Sequence, residues 1–259
     1  MILAVDVGNT NIVLGAIEGG QILRTARVRT EVNATEAEYA IKISELLDYI
    51  KVPAEKLEGS IISSVVPPVT ANLAGALESL SGKKCMVVGP GMKTGLNVKI
   101  DDPGTLGADL AVGAVAALAY YSAPAIVIDL GTATTITAID AKKAFRGGAI
   151  LPGVKLSFSA LAAGTSLLPD IYISKPEKCI GTNTADCMRS GAVLGTASMI
   201  DGMIDRMEEE LGTSCALIAT GGLASSVVPC CRHEIICDDD LLLKGLWTLY
   251  KKNAGWKSC

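Results

Sequence analysis

The chain has 259 residues, of which 49% are hydrophobic and 19% are charged, and a formal net charge of −4. This length and composition are typical of one large domain or of two lobes that each bury a core, and they exclude a disordered chain. The small negative charge argues against a nucleic acid as partner.

The first predicted element belongs to an internal repeat. The opening segment AVDVGNTNIVLGAIEGG reappears as VIDLGTATTITAIDAKK, which places Asp6 against Asp129 at an offset of 123 residues. Gly8 then aligns with Gly131. The other aligned pairs are Asn9 with Thr132, Asn11 with Thr134, Val13 with Ile136 and Ala16 with Ile139.

Each copy predicts a β-hairpin with a polar tip. A short run rich in β-branched residues ends at an Asp-x-Gly turn, and a second strand follows. A third strand is predicted after each hairpin, at residues 21–28 and 143–150.

Helices and strands alternate in the rest of the chain. We predict a helix from Thr35 to Ile50 with Thr35 as its cap, and another from near Thr105 to Tyr121 with Thr105 as its cap. Strands are predicted near residues 59–65, 84–88, 125–129 and 216–220. This alternation predicts an α/β class with mixed sheets. We expect two similar lobes, residues 1–121 and 122–259, that face each other across a cleft.

Neither of two long uncharged stretches predicts a membrane helix. Residues 110–128 are interrupted by Pro124, and residues 59–77 contain a Pro-Pro pair, which a helix interior rarely accommodates. The first residues lack the basic start of a signal peptide and include Asp6. We therefore expect a cytoplasmic protein that does not bind membranes.

The cysteines and the histidine do not predict a zinc site. The eight cysteines form no CxxC pair and the chain has one histidine, whereas zinc ligation needs clusters of these residues. We interpret the cysteines as reduced, mostly structural thiols. A redox role for the adjacent Cys230 and Cys231 stays an alternative.

The turn from Asp6 to Asn11 has the chemistry of a phosphate site. Gly8 admits backbone conformations that other residues avoid, so N–H groups, an amide and a hydroxyl can approach an anion. The Asp6 carboxylate would repel a bare phosphate, which implies that it holds Mg²⁺ directly or through water. The alternative is a type I′ turn in which Asn and Gly serve geometry alone, and two copies in one chain favour the phosphate site.

Other nucleotide motifs are missing from the sequence. The chain has neither GxxxxGK followed by Ser or Thr nor GxGxxG before a helix. A nucleotide would therefore be held by the two hairpins.

Paired Asp-x-Gly hairpins resemble the superfamily of actin, hexokinase and heat-shock chaperones. Within it, the chain resembles the type III pantothenate kinases over nearly its whole length. The ordered motifs are DVGNTN from Asp6, GAD at Gly107–Asp109, DLGTATT from Asp129, GGAILPG from Gly147, GTNT from Gly181 and TGG from Thr220. The resemblance implies two RNase H-like lobes in an actin-like duplicated fold, with a nucleotide cleft between them.

The resemblance also implies a reaction. It is the ATP-dependent phosphorylation of the primary hydroxyl of pantothenate, the first step of coenzyme A biosynthesis, in a homodimer whose active site lies near the interface. Asp109 resembles the catalytic base, because a carboxylate near the hydroxyl can accept its proton. The alternative for Asp109 is that it only favours the positive end of a helix dipole. The alternatives for the whole protein are a kinase of the same fold for another small hydroxyl compound, and a catalytically silent nucleotide-binding regulator.

Further residues take roles from the same resemblance. The ATP-binding residues are Asp6, Val7, Gly8, Asn9, Thr10, Asn11, Ile12, Val13 and Thr132, and the pantothenate-binding residues are Gly107, Ala108, Asp109, Leu110 and Thr184. Asp6 would hold Mg²⁺ and Asp129 a monovalent cation, K⁺ or NH₄⁺. A second magnesium ligand or a turn former is the alternative for Asp129. Thr184 would contact pantothenate from the neighbouring subunit, although residues 182–184 also suit a helix N-cap.

Four positions leave the interpretation open. Gly221 and Gly222 would let adenine approach the backbone or would form a strand-to-helix turn. Leu110 and Ile100 stand where the family often carries Arg and Tyr. A missing Arg removes a bidentate donor for a carboxylate, so Arg146 or Lys155 would replace it, or the enzyme would accept a different alcohol.

Overall fold

In the computed structural model, which describes residues 1–169 and 171–255, the chain forms two compact units. Among the described residues, the first comprises Met1–Leu96, Asp102–Ala119 and residues 240–255, and the second comprises Asn97–Asp101 and the rest of the chain between Tyr120 and Asp239. Each unit contains one mixed sheet, as the predicted α/β class requires. The two lobes at residues 1–121 and 122–259 stay a prediction. The compact units group segments that lie close together in space, whereas the predicted lobes are two copies of one repeated fold.

The strands and helices alternate along the chain as predicted. The strands are β1 (Ile2–Val7), β2 (Asn11–Glu18), β3 (Gln21–Arg29), β4 (Gly59–Ser64), β5 (Cys85–Val87), β6 (Asn97–Val98), β7 (Ala125–Leu130), β8 (Ala133–Ile139), β9 (Ala144–Pro152), β10 (Ala216–Thr220) and β11 (Ile236–Cys237). The helices are α1 (Glu36–Tyr49), α2 (Pro67–Ser81), α3 (Ala108–Tyr120), α4 (Val154–Ala163), α5 (Thr184–Ser190), α6 (Thr196–Leu211), α7 (Ala224–Val227) and α8 (Leu241–Asn253). The predicted hairpins and third strands are confirmed, whereas α2, α4 and α8 were not predicted.

The first sheet has the strand order β3-β2-β1-β4-β5. Alternate residues of β1 face opposite sides, as the strand period requires. Leu3 and Val5 pack in one cluster with residues of α1 and α2, and Ile2 and Ala4 pack in another with residues of α3 and α8. Helices therefore cover both faces of this sheet.

The predicted cap of the first helix is confirmed. The Thr35 hydroxyl accepts a hydrogen bond from the Glu38 N–H at 3.4 Å, and the Glu38 carboxylate accepts one from the Thr35 N–H at 2.7 Å. This reciprocal pair fixes the start of α1, and Tyr39, Ile43 and Leu47 form its buried face.

The second sheet has the strand order β11-β10-β7-β8-β9-β6. Ile126 and Ile128 of its central strand pack in one cluster with Ile200 and Ile204 of α6. Between α5 and α6 the helix widens into a single π-helical segment, Gly191–Gly195. Within the described residues, no helix combines the length and the apolar character that crossing a bilayer requires.

Candidate phosphoryl-transfer site

The repeated aspartates occupy the same place in the two sheets. Asp6 is the fifth residue of β1 and Asp129 the fifth residue of β7, and each is the one half-buried residue of an otherwise buried strand. Both carboxylates therefore lie at the carboxyl end of a central strand, beside a turn.

The first turn is closed by hydrogen bonds from the following strand. The Gly8 N–H donates to the Asn11 carbonyl at 2.9 Å. The Thr30 hydroxyl, just after β3, donates to the Gly8 carbonyl at 2.6 Å, and the Thr30 N–H donates to the Thr10 carbonyl at 3.0 Å. Asn9 and Thr10 are exposed, so the polar tip of a fixed loop faces solvent.

The expectation about the backbone of Gly8 was wrong. Among the described residues with positive φ there is none between positions 8 and 11. A type I′ turn needs positive φ at both central residues, so this alternative is also excluded. A Cβ on Gly8 would lie 3.3 Å from the Asn11 carbonyl oxygen, a tight contact that the backbone of the turn would have to relieve by a small shift.

The second turn is one residue shorter than the first. Val7 pairs with Ile12 in the first hairpin, whereas Leu130 pairs with Thr134 in the second, where the Gly131 N–H donates to the Ala133 carbonyl at 3.1 Å. The offset of 123 therefore holds only up to the turn. Beyond it the three predicted equivalences of Asn11 with Thr134, Val13 with Ile136 and Ala16 with Ile139 were wrong by one residue, and Asn11 corresponds to Ala133.

Gly153 and Gly221, from two of the glycine motifs, pack closely against this second turn. The Gly153 N–H donates to the Thr132 carbonyl at 3.0 Å, and a Cβ on Gly153 would lie 2.5 Å from the Gly131 carbonyl oxygen. Gly221 follows β10 with a φ of +93°, and a Cβ there would lie 2.7 Å from the Leu130 nitrogen. The strand-to-helix turn at Gly221 is confirmed, and the approach of adenine stays a prediction.

Asp109 lies in the first turn of α3. The helix begins at Ala108, and its Ala111 N–H donates to the Gly107 carbonyl at 3.0 Å. The predicted cap was wrong, because the Thr105 hydroxyl donates to the Asp102 carbonyl at 2.8 Å in a preceding 3₁₀ turn. The missing side chain of Gly107 makes room for the carboxylate, since a Cβ there would lie 2.6 Å from Asp109 Oδ1.

The environment of Asp109 favours its protonated form. Burial raises the pKa of the carboxyl, and the Leu110 N–H, which donates to Asp109 Oδ1 at 2.8 Å, opposes the shift. No Lys or Arg of the described chain forms an ion pair with it. A half-buried carboxylate with a raised pKa and no cationic partner is suited to accept a proton.

Arg146 and Lys155, the two side chains that would replace the missing Arg, lie in different parts of the second unit. Arg146 forms an ion pair with Asp140 at 3.3 Å, at the opposite end of β8 from the turn at residues 131–133. Lys155 is exposed in the first turn of α4, two residues after Gly153. Ile100 is half-buried, and its Cγ2 would lie 3.6 Å from a Cβ on Gly147.

The GTNT motif starts α5, and its cap is Asn183. The Asn183 side-chain oxygen accepts a hydrogen bond from the Asp186 N–H at 3.0 Å. Thr184 is the first helical residue and is exposed. Its hydroxyl is therefore not used by the cap and faces solvent.

Sequence reasoning missed Ser63. It is the β4 residue that pairs with Asp6 in the parallel register, it is fully buried, and its hydroxyl has no hydrogen-bond partner. The signal in the sequence was a hydroxyl residue near the carboxyl end of the predicted strand at 59–65. Only the register shows that this hydroxyl lies beside Asp6.

The residues around Asp6 fit a hydrated Mg²⁺ ion. Among the described residues, no group of three or more His, Cys, Asp or Glu side chains could hold a metal. Mg²⁺ commonly needs only one or two protein carboxylates, because waters and substrate phosphates complete its shell. Asp6 supplies such a carboxylate, and the buried Ser63 hydroxyl beside it lacks the partner that a buried hydroxyl needs.

The chain is similar to known proteins over most of its length. A family profile described as type III pantothenate kinase matches residues 2–206. A type III pantothenate kinase from Halalkalibacterium halodurans is 44% identical over 254 residues, which cover 98% of this chain and all of the relative.

Solved structures share the fold at low sequence identity. A putative Baf family transcriptional activator from Campylobacter jejuni has a TM-score of 0.62 at 19% identity, covering 98% of this chain and 100% of its own. A putative 2-dehydro-3-deoxygalactonokinase from Sinorhizobium meliloti has a TM-score of 0.61 at 14% identity, covering 100% and 98%. These likenesses show the fold, a duplicated arrangement of two mixed sheets.

Proposed function

This chain belongs to the type III pantothenate kinase family, and from that premise we propose the part that each residue plays in the reaction. The chain is a kinase that transfers a phosphoryl group from ATP to the primary hydroxyl of pantothenate, the first step of coenzyme A biosynthesis. The observation that carries this activity is the 44% identity with a pantothenate kinase across the whole chain. The residue roles are taken from the family resemblance, and the site geometry supports those of the first hairpin and of Asp109.

The first hairpin binds the phosphates of ATP. Asn9, Thr10 and Asn11 present backbone and side-chain donors on a loop that the Gly8 N–H and Thr30 already hold closed, so little ordering is needed when an anion binds. Val7, Ile12 and Val13 belong to the paired strands that carry the loop. When Mg²⁺ is bound at Asp6, it neutralises part of the phosphate charge.

Asp109 accepts the proton of the attacking hydroxyl. The raised pKa of its carboxyl brings the base closer to the pH at which the enzyme works, which favours proton transfer. Gly107 and Ala108 shape the backbone in front of the carboxylate, and Leu110 supplies the N–H that holds one of its oxygens. The Asp109 N–H is a second backbone donor to the carboxylate, and the substrate hydroxyl would donate to a remaining lone pair.

The second hairpin holds a monovalent cation and a phosphate oxygen. Asp129 supplies the carboxylate for K⁺ or NH₄⁺, and Thr132 contributes its hydroxyl to the nucleotide. The contacts of Gly153 and Gly221 with this turn restrict its conformations, which a cation site of defined size requires.

The chain works as a cytoplasmic homodimer with the active site near the interface. Exposed large apolar side chains are concentrated between residues 150 and 180 of the second unit, where they would gain from burial against a second copy. Those in this segment are Ile150 (73% exposed), Leu156 (51%), Leu161 (44%), Leu167 (90%), Tyr172 (83%) and Ile180 (83%). Thr184, four residues after Ile180, is exposed at the start of α5 and would contact pantothenate bound to the partner.

A coupled assay of ADP release tests the proposed activity. Release should require pantothenate, Mg²⁺ and K⁺ together. ADP release that pantothenate does not stimulate, from a folded protein, would contradict the proposed substrate.

One observation favours a second candidate, a kinase for another small alcohol. The Leu110 side chain is apolar and lies near the same glycine as the catalytic carboxylate, since a Cβ on Gly107 would lie 2.6 Å from Asp109 Oδ1 and 3.7 Å from Leu110 Cγ. A substrate carboxylate would prefer a cation at that position. A panel of small hydroxy acids and sugars in the same assay separates the candidates, because only the second predicts faster turnover of a compound without a carboxylate.

A further inference from the structure

A row of neighbouring residues crosses the first sheet at the level of Asp6. Asp6 pairs with Val13 on one side and with Ser63 on the other. Residues that pair directly across neighbouring strands have their side chains on the same face, and the strands are about 4.8 Å apart. The Ser63 hydroxyl is therefore on the same face as the Asp6 carboxylate and next to it.

The Ser63 hydroxyl is placed at a cost to stability. The residue is 0% exposed and its Oγ atom has no hydrogen-bond partner. A buried hydroxyl without a partner destabilises the fold, and alanine at the same place would be free of that penalty. Ser60 Oγ and Thr134 Oγ1 also lack a partner, so it is the position of Ser63 beside Asp6 that points to a role in the ligand-bound state.

The second sheet repeats the strand pairing of a hydroxyl residue with the aspartate. Thr220 of β10 pairs with Asp129 in the parallel register, and it is 3% exposed. Each repeated aspartate thus has a buried hydroxyl residue beside it on the neighbouring parallel strand. The repeat extends beyond the hairpins, although the residues around Ser63 and Thr220 show no likeness in sequence.

We infer that Ser63 is a positioning residue for Asp6, whose hydroxyl donates a hydrogen bond to the Asp6 carboxylate when the magnesium–nucleotide complex is bound. This inference rests on the proposed role of Asp6. Because Ser63 is not exposed, nucleotide and metal do not reach it, and it acts through the carboxylate.

The physical effect is the orientation of a metal-binding carboxylate. A second hydrogen-bonded group fixes the side-chain rotamer and favours the charged form of the acid. Loss of such outer partners commonly weakens metal binding by about 10-fold to 100-fold. Ser63 therefore lowers the stability of the ligand-free fold and strengthens the binding of Mg²⁺ in the nucleotide complex.

The experiment is a titration of a non-hydrolysable ATP analogue with MgCl₂, followed by calorimetry, on the full chain. In Ser63→Ala the Mg²⁺ concentration for half-maximal binding should rise about 10-fold, while the ligand-free variant should melt at the parent temperature or above it. Ser60→Ala is the matched control. Ser60 lies on the same strand, is 1% exposed and pairs with Leu3 instead of Asp6, so its Mg²⁺ requirement should equal that of the parent.

The outcomes separate this inference from the proposed function. If binding by the parent protein does not depend on Mg²⁺, the proposed role of Asp6 fails. If the parent depends on Mg²⁺ and Ser63→Ala has the same requirement as the parent, the positioning role of Ser63 is overturned and Asp6 keeps its role. An equal loss of affinity in Ser60→Ala and Ser63→Ala would also overturn it, because a general packing effect would then explain both.

Discussion

The backbone of Gly221 lies against the carboxylate of Asp129. Gly221 has a φ of +93°, and a side chain there would collide with Asp129 Oδ1 and with the backbone of Leu130. The turn after β10 thus forms one wall around the aspartate of the second hairpin, and only glycine fits that wall.

Replacement of Gly221 by alanine should damage both stability and the cation site. The alanine side chain would combine strain from the positive φ with a collision against the backbone. We therefore expect the free energy of unfolding to fall by more than about 3 kcal/mol. We also expect the activity to respond more weakly to K⁺. Gly212→Ala is the control, because Gly212 has a φ of +71° and open space around it. It should cost only about 1–2 kcal/mol and leave the K⁺ response unchanged. Urea unfolding and K⁺ titration measure both effects, and equal losses in the two variants would refute the proposed wall.

Replacement of Asp109 by asparagine should reduce turnover and increase stability. Loss of the base should lower kcat by about 10²-fold to 10⁴-fold with little change in the KM for ATP. Since burial raises the pKa of Asp109, the ionised carboxylate destabilises the fold at neutral pH, so the variant should melt at a higher temperature. Asp102→Asn removes a charge nearby but keeps an acceptor for the Gly104 N–H, and its kcat should stay at the parent value. A kcat unchanged in Asp109→Asn would favour the silent regulator.

The same carboxyl predicts the pH dependence of activity and stability. Its pKa is raised in the folded state, so the folded chain binds this proton more tightly than the unfolded chain does. The resulting stability is present below the ordinary pKa and is lost as pH rises through the raised one. Activity changes in the opposite sense, because the base must be ionised. A profile of kcat/KM against pH should fall on the acid side at a pH above the ordinary pKa of 3.8, and the acid limb should disappear in Asp109→Asn.

Replacement of Leu110 by arginine should move the acid limb of the profile of kcat/KM against pH. A guanidinium beside Asp109 favours the ionised carboxylate, so Leu110→Arg should shift the limb to lower pH. It should also lower the KM for pantothenate if the guanidinium meets the substrate carboxylate. Leu110→Met conserves size without charge and should change neither quantity. A limb that stays in place in the arginine variant would show that Asp109 does not control it.

The proposed shared active site can be tested by mixing inactive subunits. Asp109→Asn removes the base, and Thr184→Tyr should block pantothenate binding in the partner's site. Random exchange between equal amounts of the two variants should restore about a quarter of the parent activity, since half of the dimers are mixed and one of their two sites is intact. Each variant alone should stay inactive. If the mixture is also inactive after proven exchange, Thr184 serves the site of its own subunit.

The sequence predicted most of the elements that carry the site. The repeated Asp-x-Gly segments, the third strands and the cap at Thr35 were found because period, turn chemistry and capping act over a few neighbouring residues. The turns themselves were less predictable. A gapless alignment cannot register that one turn is a residue shorter, so the strand after Gly131 was aligned one residue out of place. The role of Gly8 was also misread, because composition does not show whether a glycine takes a positive φ.

Short sequence patterns were enough to identify the two aspartates, the helix of Asp109 and the family motifs, since each of these features depends on residues close together in sequence. Tertiary structure alone decided that Ser63 lies beside Asp6, that Gly221 lies against Asp129 and that α8 covers the first sheet. These relations join residues that are far apart along the chain, and they follow from strand register and from which apolar faces meet. Neither is encoded in any short segment, because register and packing are settled only when distant strands pair and exclude water together.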